Sequence, residues 1–260
     1  MVEARVVLLE ELAANAWPAA IVQHVDGWRL RFNGGVTRRA NSVLPIADGG
    51  RYSLDEKTRL AERFYAERGV PCRFQVADAT APPGLDACLA NRGYAREAPT
   101  AVLTAELSVV TAETTLRPGL SVDTSAAMTD DWTRAYDEAN GFSGPDAERR
   151  RDIMRRVPVP AAYALARIDG ETVAVGWAAV ERAWAGVFGM TTRVACRRRG
   201  AGRAVLRALA ERARAGGARR MYLQVMADNV AARALYEGEG FQPEYGYHYR
   251  TLAHTVTQAA

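Results

Sequence analysis

Lysine and cysteine are both scarce in this chain of 260 residues. Lys57 is the one lysine against 33 arginines, a bias that is typical of a GC-rich coding genome and predicts no particular partner. The three cysteines, Cys72, Cys88 and Cys196, are far apart and lack the paired spacing of a zinc site or a disulfide framework. We therefore predict no metal, and we interpret the cysteines as thiols of the core.

Long apolar runs are also missing from the sequence. No stretch of about eighteen apolar residues occurs, and residues 1–5 (MVEAR) do not resemble the start of a signal peptide. Hydrophobic residues make up 48% of the chain and charged residues 25%, which is typical of a folded globular protein. These features predict a cytoplasmic protein that does not contact a membrane.

Positive charge is in small excess and lies in the second half of the chain. The net charge is +4. Residues 1–116 contain 13 basic and 14 acidic side chains, and residues 117–260 contain 21 and 16. This excess suits a small anionic ligand and is too weak to indicate a nucleic-acid partner, which usually needs a clustered basic face.

A polar segment with proline and glycine, residues 111–119, predicts a linker between two domains, 1–112 and 117–260. In the second domain the patterns predict strands at 120–128, 161–168, 172–180, 184–194, 221–226 and 241–252, and helices at 130–140, 146–156, 202–215 and 230–238. In the first domain they predict strands at 28–32, 40–45, 72–76 and 100–107, and helices at 54–68 and 84–92.

The two halves repeat one order of helix, strand, helix and strand. Residues 86–94 and 233–241 are both short helical segments that end in glycine and an aromatic residue before a strand. An internal duplication explains this similarity. The first copy has an acidic turn, Asp48–Ser53, instead of a basic glycine-rich one, and we predict that it binds no nucleotide.

The clearest chemical signal is the sequence Arg199-Gly200-Ala201-Gly202-Arg203-Ala204. It follows a strand-like run and opens a helix whose apolar residues Val205, Leu206, Leu209 and Ala213 share one face. Glycines let backbone N–H groups approach a ligand closely, and the positive end of a helix attracts an anion. The turn therefore predicts a phosphate site.

The order of motifs from Arg199 onward resembles the GCN5-related N-acetyltransferase (GNAT) family. That family has an R/Q-x-x-G-x-G/A signature at the start of its long helix, which Arg199–Ala204 matches, and Arg197–Gly202 matches in a second register. About 25 residues later it has N-x-x-A-x-x-x-Y, matched by Asn229, Ala232 and Tyr236. The resemblance covers residues 117–252. It implies an α/β fold with a mixed, mostly antiparallel sheet flanked by helices, and two tandem GNAT-like halves of which the second is catalytic.

The resemblance implies acetyl-CoA as cosubstrate and assigns roles to individual residues. The N–H groups from Gly200 to Ala204 would hold the pyrophosphate. The residues expected to bind the cosubstrate are Thr192, Val194, Arg199, Gly200, Ala201, Gly202, Arg203, Ala204 and Asn229. Thr192 and Val194 would pair with the pantetheine arm, and Asn229 is also a suitable helix N-cap. Tyr236 is at the family's position for the acid that protonates the departing thiolate.

The general base and the acceptor pocket are less clearly specified. The strand 184–194 lacks the carboxylate that many relatives use, and the first candidate base is Glu181, just before it. Asp137 and Glu138 are further options, and His248 is more often a structural, hydrogen-bonded histidine. The residues proposed to bind the acceptor are Tyr136, Glu138, Phe142, Trp177 and Arg38.

The predicted function is transfer of an acetyl group to a primary amine of a small molecule, such as an amino acid, a polyamine or an antibiotic, by direct attack. The protein would be a monomer or a homodimer. The alternatives are transfer of a longer acyl chain, transfer to a protein lysine or N-terminus, and a non-catalytic acyl-CoA sensor. Binding of nucleic acid through residues 197–203 is a further alternative that predicts steep salt dependence.

Overall fold

Helices and strands alternate along both halves of the chain in the computed structural model, which describes residues 2–110 and 117–253. The first half contains α1 (Val2–Asn15), β1 (Ile21–Val25), β2 (Trp28–Phe32), β3 (Val43–Leu44), α2 (Leu54–Ala66), β4 (Cys72–Val76), α3 (Leu85–Asn91), β5 (Ala95–Glu106) and α4 (Leu107–Val110). The second half contains β6 (Leu120–Ser125), α5 (Asp130–Asn140), α6 (Gly144–Arg155), β7 (Ala161–Ile168), β8 (Glu171–Glu181), β9 (Trp184–Thr192), α7 (Ala201–Ala215), β10 (Arg220–Met226), α8 (Val230–Glu237) and β11 (Gln242–Leu252). Over these two stretches, no helix combines the length and the apolar character that a membrane span requires.

The chain divides into two units, and the division differs from the predicted one. The first unit comprises Met1–Thr100 and Tyr245–Ala260, and the second comprises Ala101–Glu244. The prediction assigned all of 117–260 to the second domain. The end of β11 instead belongs to the first unit because residues 248–252 pair in antiparallel fashion with β4, from His248↔Val76 to Leu252↔Cys72.

The first unit is built on the strand order β1-β2-β3-β4-β11. The pairs are antiparallel except for β3 and β4, which are parallel. Its core contains Trp28, Phe64, Tyr65, Phe74 and Leu89. The sequence analysis did not identify α1 or β1. The signal for α1 was present, because its buried residues Val6, Leu9, Leu12 and Ala13 follow helical spacing.

The second unit has an antiparallel β6-β7-β8-β9 sheet to which β10 adds in parallel. A Cβ atom on Gly176 of β8 would lie 3.1 Å from Val205 of α7, and the Trp132 indole of α5 donates to the Gly176 carbonyl at 3.0 Å. The next residue, Trp177, faces the α5 side, because neighbouring strand residues point to opposite faces. Helices α7 and α5 therefore cover opposite faces of this sheet, and the predicted apolar face of α7 is fully buried.

The structure confirms the predicted fold class, with corrections at several element ends. The predicted hairpin is β7 and β8, joined by Asp169 and Gly170, both with positive φ. The strand predicted at 184–194 ends at Thr192. Val194 is not in a strand; it begins a short 3-10 turn in which the Cys196 N–H donates to the Arg193 carbonyl at 2.9 Å. β5 starts five residues earlier than predicted, at Ala95.

Candidate active site

The turn Arg197–Gly202, here called the α7 turn, leaves the start of α7 without a cap. After the 3-10 turn Val194–Cys196, the helix begins at Ala201. Gly200 is the N-cap residue, with a φ of 89° that favours glycine, and no side chain caps the helix. The first bond of the helix runs from the Ala204 N–H to the Gly200 carbonyl at 3.0 Å. The N–H groups of the first three helical residues therefore have no partner within the helix.

The end of β9 and helix α8 both lie against the α7 turn. A Cβ atom on Gly202 would stand 3.3 Å from Thr192 Oγ1 and 3.5 Å from Leu235 Cδ2. α8 itself begins as predicted, because the Ala232 N–H donates to the Asn229 side chain at 3.1 Å. Since β9 and β10 are parallel, both helices start at the carboxyl edge of these strands. The structure thus brings together Thr192, the α7 turn and the Leu235 side chain of α8, whereas no hydrogen bond among the described residues joins Asn229 to the turn.

Arginine side chains give the α7 turn a positive charge, and Arg203 contributes least to it. Arg197 Nε lies 3.5 Å from the Thr192 carbonyl oxygen, and Arg199 has no ion pair within the described ranges. Arg203 instead forms an ion pair at 2.6 Å with Glu239, whose carboxylate is almost fully buried. The predicted role of Arg203 in binding thus rests on its backbone N–H group.

Arg117 is a residue of this site that the sequence analysis missed. Its Nε atom lies 4.0 Å from the position of a Cβ atom on Gly200. The side chain is exposed and has no ion pair to the residues that the structure describes. No sequence signal marks Arg117, because it precedes β6, more than 80 residues before the α7 turn. Only the packing of α7 against β6 brings the two together.

The strands β9 and β10 separate on the way to the α7 turn. Their pairing runs from Arg220↔Trp184 to Leu223↔Val187, whereas β9 continues to Thr192. A bulge lies in the same stretch: Trp177 pairs with Phe188, and the register then shifts at Gly189, which has a φ of 60°. The β10-facing backbone groups of β9 beyond Val187 are therefore available to an extended ligand.

Tyr236 lies on α8, one residue after the Leu235 side chain that packs near Gly202. The ring is buried, and its centroid is 5.9 Å from that of Phe241. Its hydroxyl has no hydrogen bond among the described residues. Burial raises the pKa of Tyr236 to about 12, so the phenol keeps its proton at neutral pH.

Comparison with known proteins identifies the family. A family model described as the C-terminal part of the probable histone acetyltransferase Rv0428c matches residues 3–250. The YobR protein of Bacillus subtilis (strain 168), named an uncharacterized N-acetyltransferase, is 34% identical over 245 residues, which cover 93% of this chain and 96% of YobR. This chain belongs to the GNAT family. It is a GNAT N-acetyltransferase.

Solved GNAT structures share the fold. A GCN5-related N-acetyltransferase from Kribbella flavida superposes with a TM-score of 0.72, at 16% identity, over 98% of this chain and 97% of its own. A tandem GNAT protein from the clavulanic acid biosynthesis pathway gives a TM-score of 0.64, at 15% identity, over 79% and 71% of the two chains. The fold of two GNAT-like halves predicted from the sequence therefore has a structural counterpart.

An aromatic cluster borders the β9 bulge of this GNAT protein. A Cβ atom on Gly189 would lie 3.1 Å from both Tyr136 and Trp177. The Trp177 ring stacks on Phe188 at 4.8 Å, and the Tyr136 ring meets Phe142 at 5.7 Å. Three of the predicted acceptor residues, Tyr136, Phe142 and Trp177, are therefore neighbours at the bulge.

Glu181, the first candidate base, lies at the end of β8 and β9 that is remote from the bulge at Gly189. It pairs with Trp184 at the turn between β8 and β9, and its carboxylate accepts from Arg182 at 3.1 Å. Gly189 lies five residues beyond Trp184 on β9, and five residues of a strand span roughly 16 Å. This separation gives no support to Glu181 as the base.

The other carboxylates proposed for the site lie on α5. Glu138, half exposed, pairs with Arg193 at 3.0 Å, just beyond the end of β9. One oxygen of Asp137 pairs with Arg151, while its Oδ1 is buried and has no hydrogen-bond partner in the described chain. Both carboxylates therefore lie on the helix that supplies Tyr136.

Arg38 and His248 lie in the first unit, where both have partners. Arg38 donates to Glu97 at 3.1 Å, so the predicted role of Arg38 in acceptor binding receives no support from its contacts. His248 is buried and lies 2.7 Å from Asp86, as expected for a structural histidine. The Arg250 guanidinium, together with the His248 ring, holds the pKa of Asp86 well below its usual range.

The matching turn of the first unit, Asp48–Ser53, is occupied by the protein's own carboxylates. Ser53 and Glu56 form a capping box on α2. Asp26 accepts the Arg51 N–H at 3.0 Å and the N–H of the next residue at 3.1 Å. Each of these contacts engages a backbone N–H group, which is therefore not available to a bound anion.

Proposed function

We propose that this GNAT protein transfers the acetyl group of acetyl-CoA to a primary amine of a small molecule by direct attack. The observation that carries the proposal is the uncapped start of α7 beside the separated strands β9 and β10. A pyrophosphate needs several converging N–H donors, and an extended pantetheine arm needs a free strand edge. Both lie at one edge of the second unit.

The residues around the α7 turn fit the diphosphate part of the cosubstrate. The N–H groups of Ala201, Gly202 and Arg203 are unpaired within the helix, and the Cβ position on Gly202 is crowded by Thr192. A hydrogen at Gly202 therefore leaves room that a side chain would fill. The guanidinium groups of Arg117 and Arg199 add positive charge beside these donors.

Acetyl-CoA supplies a thioester that a neutral amine attacks and a thiolate that needs a proton as it departs. Tyr236 is suited to donate this proton, because a phenol holds its proton at neutral pH and no hydrogen bond to the described chain engages its hydroxyl. The β9 bulge at Gly189 lies in the stretch of β9 that continues beyond its pairing with β10. A backbone N–H in this stretch would stabilise negative charge that develops on the carbonyl oxygen.

The aromatic cluster favours acetyl over a longer acyl chain. Trp177, Phe188 and Tyr136 pack around the bulge, and Trp177 is fully buried. Bulky rings beyond the thioester leave little room for additional methylene groups. Transfer of an acetyl group therefore fits this space better than transfer of a long chain.

The proposal is tested with acyl-CoA donors of increasing length and a panel of small primary amines, measuring the released thiol. We expect acetyl-CoA to support turnover with at least one amine, and octanoyl-CoA to be at least about tenfold slower because of steric exclusion. Lysine-containing histone peptides belong in the panel, because the matching family is described as a probable histone acetyltransferase. Turnover with peptides but with no free amine would replace the small-molecule proposal. Tight binding of acetyl-CoA without any turnover would indicate a sensor.

A further inference from the structure

Arg150 occupies an unusual place on α6, because it faces inward and has no acidic partner. It lies on the same helix face as Ala147 and Met154, both buried, at spacings of three and four residues. Its Nε atom is buried and has no hydrogen-bond partner in the part of the chain that the structure describes. The guanidinium instead lies over the Phe142 ring, 4.0 Å from its centroid.

The neighbouring arginines of α6 behave differently. Arg149 pairs with Asp146 at 2.8 Å, and Arg155 pairs with Glu148 at 2.6 Å. Both arginine side chains are about half exposed, and each pairs with a carboxylate on the surface of the same helix. The loss of hydration at Arg150 is confined to Nε, because its two terminal nitrogens have no partner in the described chain and are not buried, which leaves them open to an outside group. Arg150 is therefore the arginine of α6 that an anion from outside the chain would satisfy.

Arg150 lies near the proposed site of transfer through two aromatic contacts. The Phe142 ring beneath its guanidinium is 5.7 Å from the Tyr136 ring. Tyr136 in turn lies against the Gly189 position in the β9 bulge. A chain of side-chain contacts thus connects the bulge with the guanidinium. Tyr136 is buried, whereas Phe142 and Arg150 are half-buried and form the end of this chain that a small molecule can reach.

A carboxylate fits this place better than a phosphate. A guanidinium binds a carboxylate through two parallel hydrogen bonds, and stacking on an aromatic ring fixes its orientation. Asp137 and Glu148 on the same pair of helices both pair with Arg151, so Arg150 alone has an uncompensated positive charge to offer, and a monoanion matches that single charge.

We propose that Arg150, stacked on Phe142, forms a subsite for a carboxylate of the acceptor, so that the acceptor is an amino acid or another amine that carries a carboxylate. This inference rests on the proposed function, because it specifies the substrate class of the same site. It assigns Arg150 to recognition of the acceptor and not to binding of acetyl-CoA.

The test uses pairs of amines that differ in the carboxylate alone: lysine with cadaverine, ornithine with putrescine, and phenylalanine with phenethylamine. We expect the wild-type protein to acetylate the acid of at least one pair with a kcat/KM about tenfold to a hundredfold above that of its decarboxylated partner. Arg150→Gln should abolish this ratio by raising KM for the acid, with the Kd for acetyl-CoA unchanged. Arg149→Gln removes the same charge from the exposed side of α6 and should keep the ratio.

The outcomes separate this inference from the proposed function. Turnover with no preference for any acid, or an Arg150→Gln protein that retains the preference, overturns the carboxylate subsite and leaves the acetyl transfer intact. Absence of turnover with every amine overturns the proposed function. Calorimetry of the same acids against protein saturated with CoA then still decides the subsite, since binding that requires Arg150 supports it and binding that is equal in the Arg150→Gln variant contradicts it. Circular dichroism of both variants excludes misfolding as the cause.

Discussion

The helices α2 and α7 hold the same place in the two halves of the chain, and their N-termini are treated in opposite ways. At α2, the Glu56 N–H of the first turn donates to the Ser53 hydroxyl, and the three N–H groups just before the helix donate to carboxylates: that of Ser53 to Glu56 at 2.8 Å, and two others to Asp26. Lys57, buried beside this turn, pairs with Asp48 at 2.6 Å. At α7, no side chain caps the helix, and arginines take the place of the carboxylates.

This difference supports the proposal that the start of α2 is structural and that the start of α7 binds a ligand. A helix N-terminus attracts negative charge wherever it comes from. In the first unit the chain supplies that charge itself, which stabilises the helix and removes the donors from use. In the second unit the donors remain open and positive side chains surround them. The comparison therefore supports one acetyl-CoA site per chain, in the second unit.

The largest expected effect comes from placing a carboxylate in the open turn. Gly202→Asp adds a side chain 3.3 Å from Thr192 Oγ1 and a negative charge beside the free N–H groups. We expect the Kd for acetyl-CoA, measured by calorimetry, to rise about a hundredfold or more. The control is Gly50→Asp in the first unit, where a Cβ atom meets nothing within 4 Å; since the φ of 69° disfavours a side chain, circular dichroism first checks that this variant folds. Equal losses in both variants would break the comparison, as would normal binding by Gly202→Asp.

The next effect concerns chemistry and not binding. Tyr236→Phe removes the proposed acid, and we expect kcat to fall about a hundredfold while the Kd for acetyl-CoA changes less than about twofold. Since burial raises the pKa of Tyr236 to about 12, its proton stays bound up to pH 10 and is lost only near pH 12. The pH profile of kcat should therefore show no decline from Tyr236 below pH 10. A variant with wild-type turnover would exclude this role.

The sequence predicted most of the second unit because its signals are local. The glycines of the α7 turn, the Asn229 cap and the apolar face of α7 each depend on residues close in the chain. The acidic turn of the first unit was predicted for the same reason. The role of Arg117 depends on packing between distant segments, and no local pattern encodes it.

Two other results show the same limit of local patterns. Glu181 was a reasonable candidate base by its position before β9, but the hairpin carries it away from the bulge. The final strand was assigned to the second domain because it follows it in sequence. Pairing with β4 instead places the end of this strand, β11, in the first unit. Such pairing between distant strands leaves no periodic signal in the sequence.

A smaller effect is expected at Arg117, which sharpens the description of the open turn. Its guanidinium lies near Gly200 and is exposed, so its attraction for a phosphate is screened by water and salt. Arg117→Ala should weaken acetyl-CoA binding roughly threefold to tenfold at low ionic strength, and less in high salt. Dephospho-acetyl-CoA, which lacks the 3′-phosphate, shows which phosphate Arg117 contacts. If Arg117→Ala weakens binding of this analogue by the same factor as binding of acetyl-CoA, the contact is with the pyrophosphate. Arg134→Ala, at an exposed arginine of α5, is the control, and equal losses in both would contradict a specific contact.

The smallest effect tests the closed turn. Ser53→Ala removes the hydroxyl that accepts the Glu56 N–H at 3.3 Å, and loss of such a cap costs about 1 kcal/mol of helix stability. Amide hydrogen exchange should become faster in α2, with the Kd for acetyl-CoA unchanged. In α5, the Thr129 hydroxyl accepts the Trp132 N–H at 3.2 Å in the same way. Thr129→Ala should therefore affect amide hydrogen exchange in the second unit instead. If Ser53→Ala also weakened acetyl-CoA binding, the turn Asp48–Ser53 would take part in the cosubstrate site. The contrast between the capped start of α2 and the uncapped start of α7 would then not hold.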